Sequence, residues 1–116
     1  MQYMLLIYED ETAYGEEHDS PAVMEIIKRH MAFGEELGAQ RKGGAGLMPT
    51  NMATTVITRS GTQTIHDGPF AETREQLGGF YIIDAPDLDA AIAIAKKLPV
   101  YADGSVEIRP LLGGTD

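Results

Sequence analysis

Two short segments of this chain, residues 2–8 and 79–84, are dense in strand-forming residues and apolar on both faces. Side chains alternate between the two faces of a strand. The first segment has Tyr3, Leu5 and Ile7 on one face and Met4, Leu6 and Tyr8 on the other. In the second, Phe80 and Ile82 oppose Tyr81 and Ile83. Both faces of the sheet that holds these strands therefore need an apolar partner.

Two amphipathic helices are predicted between the strands. Ser20 before Pro21 is a typical helix start, and Gly38 can end that helix after Leu37. Its apolar stripe consists of Val23, Ile26, Ile27, His30, Phe33 and Leu37. Asp87 is expected to cap a second helix, whose core-facing residues are Leu88, Ala91, Ile92, Ala95 and Leu98.

The remaining segments predict strands and loops. Residues 53–59 and 62–66 predict a hairpin that turns at Ser60-Gly61, and residues 105–111 predict a last strand. Residues 43–46 contain three glycines but lack the lysine-serine ending of a phosphate-binding loop. This glycine segment is therefore predicted to be a flexible loop or a bulge.

The order of these elements is strand, helix, strands, strand, helix, strand. It predicts one α+β domain over residues 1–116, with a ferredoxin-like antiparallel sheet and two helices on one face. The face without helices would expose a large apolar patch, and a second copy of the chain is the simplest cover for it. We therefore expect a homodimer packed sheet on sheet.

The charge of the chain argues against direct binding to nucleic acid. It has 9 Lys and Arg residues against 18 Asp and Glu residues, which gives a formal net charge of −9. Such a chain repels a phosphate backbone, and its basic residues occur at most in pairs. The acidic residues between Glu9 and Asp19 are expected to form a solvated loop.

The absence of cysteine excludes a disulfide, a thiolate nucleophile and an iron–sulfur site. No pair of histidines has the spacing of a metal site, and nothing specifies a cofactor, so neither metal nor cofactor is predicted. The sequence also lacks a signal-peptide pattern and an apolar run of the length that a membrane span needs. A cytoplasmic protein without membrane contact is expected.

Asp67 is the first candidate for an acid/base or substrate-anchoring group. It ends a predicted strand directly before Gly68-Pro69, where a short side chain can reach a cleft. An Asx-type turn, in which the carboxylate only accepts backbone hydrogen bonds, is the structural alternative.

Four further residues are candidates for ligand binding. Glu72 and Arg74 share the loop with Asp67, where the guanidinium could hold an anion or simply form an ion pair with the carboxylate. Arg109 on the last strand could also hold an anion, or form a salt bridge across the sheet. Tyr8 could line an aromatic pocket, with packing in the core or dimer as the alternative.

Two histidines are candidates for proton transfer near neutral pH. His30 lies in the apolar stripe of the first helix, where it is either a hydrogen-bonded core residue or faces a pocket between helix and sheet. His66 precedes Asp67 and should point to the opposite face of its strand. Only one of His66 and Asp67 can therefore face a common cleft.

The segment that begins at Asp67 resembles the signature motif of a known family. Residues 67–80 read DGPFAETREQLGGF, which resembles the signature of the DGPF branch of the YCII-related proteins, small bacterial domains of largely undefined role. Further agreement follows in order at residues 3–8, 33–37, 46–49 and 106–110. The resemblance implies a ferredoxin-like fold that dimerises as a dimeric α/β barrel, similar to muconolactone isomerase and several small monooxygenases.

The resemblance does not transfer a catalytic pair. In the wider family a first-helix histidine and an aspartate after the second helix have been considered catalytic. Here the second position reads Leu98-Pro99-Val100-Tyr101, without the acid, and His30 lies about one helical turn from the family's histidine. The family's pair is therefore not assigned to this chain.

Two hypotheses for function follow. In the first, each subunit of a homodimer has a site for a small anionic or aromatic molecule, with Asp67 as acid/base and His30 or His66 assisting. In the second, the chain is a non-enzymatic ligand- or protein-binding module linked to transcription regulation, because the resemblance implies association with extracytoplasmic-function sigma factors.

Overall fold

A computed structural model describes residues 1–17 and 19–113, which contain six strands and two α-helices. In chain order these are β1 (Gln2–Glu9), α1 (Pro21–Leu37), β2 (Arg41–Gly46), β3 (Thr54–Arg59), β4 (Thr62–Asp67), β5 (Gln76–Asp84), α2 (Leu88–Lys97) and β6 (Gly104–Pro110). The main antiparallel sheet has the order β2–β5–β1–β6, and β3 pairs with β4 in a separate hairpin. This is the predicted ferredoxin-like α+β fold.

Both helices pack on one face of the main sheet. The core combines Tyr3, Leu5 and Ile7 of β1 and Tyr81 and Ile83 of β5 with Phe33 and Leu37 of α1 and Ala91 of α2. Neither helix covers the opposite face, which we call the open face. Its central side chains are all half-buried and comprise Met4, Leu6, Tyr8, Phe80 and Ile82.

The helix ends agree with their local signals. The hydroxyl of Ser20 accepts a hydrogen bond from the backbone N–H of Val23, and Gly38 ends α1 with a φ of 54°. Asp87 caps α2 by accepting from the backbone N–H of Ala90 at 2.9 Å. The prediction of core positions is wrong for Ile27 and Leu88, which are exposed. The apolar stripe of each helix is wider than the part of the helix that the sheet covers.

The glycine segment forms an edge strand, so the prediction of a flexible loop is wrong. β2 pairs with β5 over Arg41 to Gly46, and its register shifts between Arg41 and Gly43, which is the irregularity expected of a bulge. The strand has few side chains of its own, and its hydrogen bonds come from the ladder with β5. Such a strand depends on its partner rather than on local propensity.

Glu9 is buried at the end of β1, which contradicts the prediction of a wholly solvated acidic loop. It is 8% exposed. Its carboxylate oxygens each lie 2.8 Å from the hydroxyl of Tyr14, and one accepts from the backbone N–H of Tyr101 at 2.9 Å. Burial raises the pKa of Tyr14, and its hydrogen bond to Glu9 raises it further. These bonds compensate the carboxylate for its lost hydration.

A short 3-10 helix, Glu11–Tyr14, follows β1 and joins this end of the sheet to the segment before the hairpin. The Glu11 carboxylate accepts hydrogen bonds from the backbone N–H and the hydroxyl of Thr50. The backbone N–H of Glu11 donates to Oε1 of Gln76 at 2.8 Å. Glu11 therefore connects β1 with β5 and with the chain that leads into β3.

The described helices are too short or too polar to cross a membrane.

Candidate functional site

A histidine of α1 and a tyrosine of β5 form a hydrogen-bonded pair between helix and sheet. Nδ1 of His30 lies 2.8 Å from the hydroxyl oxygen of Tyr81. The two rings stack with centroids 5.7 Å apart, and Phe33 packs edge-on against Tyr81 at 5.2 Å. Tyr81 is buried and His30 is half-buried. Packing therefore holds both polar groups in contact, and we call this pair the His30–Tyr81 site.

An arginine from β2 completes the site. The guanidinium of Arg41 lies over the ring of Tyr81, 5.6 Å from its centroid, and Nη2 is 3.4 Å from the carbonyl oxygen of Gly44. A Cβ added to Gly34 of α1 would lie 3.9 Å from Cδ of Arg41. The Arg41 stem thus runs between two glycines, while the residue remains exposed. A cation is available to an anionic group that approaches Tyr81.

The environment sets the charge states of the pair. Burial lowers the pKa of His30 from its usual 6.5, and the charge of Glu9 opposes part of that shift. Burial raises the pKa of Tyr81 from its usual 10, and Arg41 opposes it. At neutral pH the imidazole is therefore neutral and the phenol protonated. In the tautomer that carries its proton on Nδ1, His30 donates to the hydroxyl oxygen of Tyr81, so Nε2 of His30 can accept a proton and the hydroxyl of Tyr81 can release one.

The shift at His30 predicts a pH dependence of stability. The unfolded chain has the ordinary imidazole pKa and binds a proton more readily than the folded chain. The free energy of unfolding is therefore expected to fall as the pH drops below about 6.5. Urea unfolding between about pH 7.5 and pH 5 measures this slope, and His30→Gln should reduce it.

The matched control for this prediction is His66→Gln. His66 is exposed on the hairpin, away from the His30–Tyr81 site, so this variant removes a histidine without disturbing the site. A His30→Gln variant with an unchanged slope would contradict the proposed desolvation of His30.

The structure places Asp67 and His66 on the hairpin rather than beside His30. Asp67 is exposed and pairs in register with Thr54, and the ring of His66 lies against Gly68. Among residues 1–17 and 19–113, neither side chain forms a hydrogen bond or ion pair with His30 or Tyr81. The carboxylate of Asp67 likewise accepts no hydrogen bond from the described backbone, so the alternative of an Asx-type turn is not seen there.

The loop after the hairpin holds Glu72 and Arg74 in exposed positions. No ion pair joins them in the part of the chain that the structure describes, so the alternative of a structural ion pair is not seen. Arg74 instead acts on Asp10. Hydrogen bonds from Thr12 lower the pKa of Asp10 most, and the charge of Arg74 lowers it further.

Tyr8 and Arg109 lie on the open face, on the side of the sheet away from His30. Arg109 is opposite Met4 in the ladder between β1 and β6, and Tyr8 is opposite Ser105. Arg109 is exposed and Tyr8 half-buried. The candidate residues therefore fall into three groups: His30 under α1, Asp67, His66, Glu72 and Arg74 around the hairpin base, and Tyr8 and Arg109 on the open face.

Sequence reasoning identified neither Tyr81 as the partner of His30 nor Arg41 as the cation over Tyr81. Tyr81 is 51 residues from His30, and Arg41 begins a strand that the sequence did not predict. The only signal for such a pair is the apolar stripe of α1, which orients His30 towards the sheet. The described residues contain no group of three or more potential metal-ligating side chains.

Two comparisons with known proteins give matches over nearly the whole chain. The family model described as the YCII-related domain matches residues 1–113. An uncharacterised protein of Rhizobium meliloti (strain 1021) is 38% identical to this chain over 118 aligned residues, which cover 96% of this chain and 92% of that protein.

Proposed function

The chain belongs to the YCII-related family, and on that premise we propose that it holds a small-molecule site with acid/base chemistry in each subunit of a homodimer. The observation that carries the proposal is the hydrogen bond of 2.8 Å between His30 and Tyr81 beneath α1. A neutral imidazole next to a protonated phenol can take and give a proton at neutral pH. Arg41 would bind an anionic group of the ligand at the same place.

Asp67 has a separate part in this proposal. Its carboxylate is exposed and accepts no hydrogen bond from the described residues, so it is available to a ligand or to another chain. We propose it as a second acid/base group at the loop after the hairpin. Glu72 and Arg74 in the loop, with Tyr8 and Arg109 on the open face, are proposed as contacts of a ligand bound at this second place, because Tyr8 and Arg109 lie on the side of the sheet away from His30.

The homodimer of the proposal uses the open face. Met4, Leu6, Phe80 and Ile82 are neighbours in the ladder between β1 and β5, and the helices do not cover them. Packing two such faces together would bury the apolar centre of each sheet. The His30–Tyr81 sites would then lie on the outer, helical sides of the two sheets.

A thermal-shift screen against small carboxylates, lactones and phenols tests the site. A ligand present at about 100 times its Kd is expected to raise the melting temperature by roughly 10 °C. Arg41→Gln should weaken binding of a carboxylate about tenfold or more, because a charged hydrogen bond is lost. Where turnover is found, His30→Gln and Tyr81→Phe should each lower it about 100-fold or more.

The controls separate the two acid/base groups. Tyr101→Phe removes a hydroxyl from an exposed tyrosine outside the site and should change neither binding nor turnover. Asp67→Asn tests the loop carboxylate alone, and full turnover in that variant would remove Asp67 from the mechanism. Full turnover in His30→Gln would refute the role of the His30–Tyr81 site.

A second candidate function is the non-enzymatic protein-binding module linked to transcription regulation. The observation that favours it is an apolar patch on α1, where Met24, Ile27 and Met31 are exposed around Lys28. Apolar residues at this spacing on an exposed helix face are typical of contacts with another protein. If the thermal-shift screen finds no ligand, that result would favour this function over the small-molecule site.

A further inference from the structure

The hairpin formed by β3 and β4 stands apart from the main sheet. It leaves the sheet where β2 ends and β5 begins, and the backbone N–H of Gly68 closes its base by donating to the carbonyl of Ala53 at 2.8 Å. Every residue of β4 is exposed. A two-stranded hairpin without a covering layer is marginally stable in water. We call residues 54–67 the arm.

The arm carries an apolar pair that nothing described in the chain covers. Val56 and Ile65 are opposite each other in the ladder, so they share one face, and they are 61% and 75% exposed. Exposed large apolar side chains continue on both sides of the arm. They are Leu47, Met48 and Met52 before it and Phe70 after it.

The chain also has too much surface for its mass. A compact monomer of 12.6 kDa should expose about 6,200 Å², whereas this chain exposes 7925 Å². Its radius of gyration is 15.7 Å, against about 13 Å for a compact domain of this length. The excess of roughly 1,700 Å² is about twice the area that each partner buries in a standard protein–protein interface.

Charge favours a second copy as the partner. The chain has a net charge of −9, so most of its surface repels an identical chain. Residues 47–71 are the exception, because Arg59 and Asp67 are their only Lys, Arg, Asp or Glu residues. This neutral segment can approach a second copy without that repulsion. Twofold symmetry would then use both arms of a dimer at once.

We infer that the arm packs its Val56–Ile65 face on a second copy of this chain and extends the interface that the open face begins. The inference rests on the homodimer of the proposed function but not on its acid/base site. Asp67 is the last residue of β4, so docking of the arm would fix Asp67 against the neighbouring copy. A site that uses Asp67 would then be incomplete in the monomer.

Sedimentation equilibrium of matched variants tests the arm. Val56→Asp/Ile65→Asp should raise the dimer dissociation constant about 100-fold, because two apolar side chains lose their cover and two charges are added. The control Thr62→Asp/Thr64→Asp adds the same charge to exposed residues on the opposite face of the hairpin. This control should change the dimer dissociation constant little. Val56→Thr/Ile65→Thr keeps the β-branched shape of the pair and should raise the dimer dissociation constant about tenfold.

Hydrogen exchange provides an independent measurement. Backbone amides of residues 54–67 should be protected at concentrations where the wild-type protein is dimeric and should lose protection on dilution. Circular dichroism should show that the main sheet and helices remain folded in every variant, because the arm lies outside their core.

The outcomes separate the arm from the rest of the proposal. A dimer that is unaffected by Val56→Asp/Ile65→Asp, or protection that does not depend on concentration, would overturn the proposed role of the arm in the interface. The proposal of a sheet-on-sheet dimer would then still stand. A control variant that dissociates as much as the test variant would also overturn it, since charge alone would explain the effect. A wild-type protein that stays monomeric at high micromolar concentration would overturn both the arm and the homodimer.

Discussion

Replacing Glu9 with alanine is expected to lower the free energy of unfolding by about 3 kcal/mol, which corresponds to a fall of about 12 °C in melting temperature. Glu9 is 8% exposed and accepts hydrogen bonds from Tyr14 and from the backbone N–H of Tyr101. The variant leaves the N–H of Tyr101 without its partner, and an unsatisfied donor in a partly buried place is costly. Urea or thermal unfolding measures the loss.

A double-mutant cycle shows whether the hydrogen bonds cause this loss. Tyr14→Phe removes the hydroxyl but keeps the ring, whose centroid lies 5.1 Å from that of Tyr101. Because the two variants break a shared bond, the double variant should lose less than the sum of the single losses. The control Glu16→Ala removes an exposed acid of the same segment and should change stability by less than about 0.5 kcal/mol. Additive losses would show that the contact with Tyr14 contributes little.

The second large effect is expected from Gly44→Ala, with a loss of about 3 kcal/mol. Gly44 has a φ of 153°, a conformation that side chains with a Cβ rarely adopt. The new Cβ would also lie 2.7 Å from the carbonyl oxygen of Phe80 and 3.3 Å from Nη2 of Arg41. Either β2 moves away from β5 or the backbone carries strain, and Arg41 is displaced from Tyr81 in both cases.

Gly46→Ala is the matched control for this prediction. It makes the same substitution in the same strand, but a Cβ at Gly46 would meet nothing within 4 Å. Its stability should stay within about 0.5 kcal/mol of the wild-type protein. Thermal unfolding compares the two variants, and binding of an anionic ligand found in the screen should weaken in Gly44→Ala alone. Equal stability of the two variants would refute the steric argument.

Local signals in the sequence predicted the helices well. Ser20, Pro21 and Gly38 define the ends of α1 through capping and backbone geometry that involve only neighbouring residues. Asp87 does the same for α2. The exposure of Ile27 was not predictable in this way, because it depends on how far the sheet extends beneath the helix.

The errors concern features that are set by distant residues. β2 has no strand propensity of its own, and only its pairing with β5 makes residues 41–46 a strand. Glu9 belongs to a run of acids that is typical of a solvated loop, but its partner Tyr101 is 92 residues away in the chain. In both places the deciding contacts are non-local.

The candidate site was predicted in part for the same reason. His30 was identified because a histidine in an apolar helical stripe needs a hydrogen-bond partner, but the periodicity could not name Tyr81 as that partner. The motif that includes Asp67 identified the family from its residues. It did not indicate that Asp67 lies at the base of a projecting hairpin, because a hairpin pattern does not show whether the hairpin joins the main sheet.

The position of β1 in the sheet has a consequence for how the chain folds. β1 is made first, yet it lies between β5 and β6 and pairs with Asp84 and Pro110 near the far end of the chain. During synthesis α1 and the hairpin can form from local contacts, whereas the apolar β1 lacks a partner on one edge until β5 is made and on the other edge until β6 is made. Non-local pairing of this kind slows folding. The nascent chain thus exposes its apolar first strand for longer than any other strand of the main sheet.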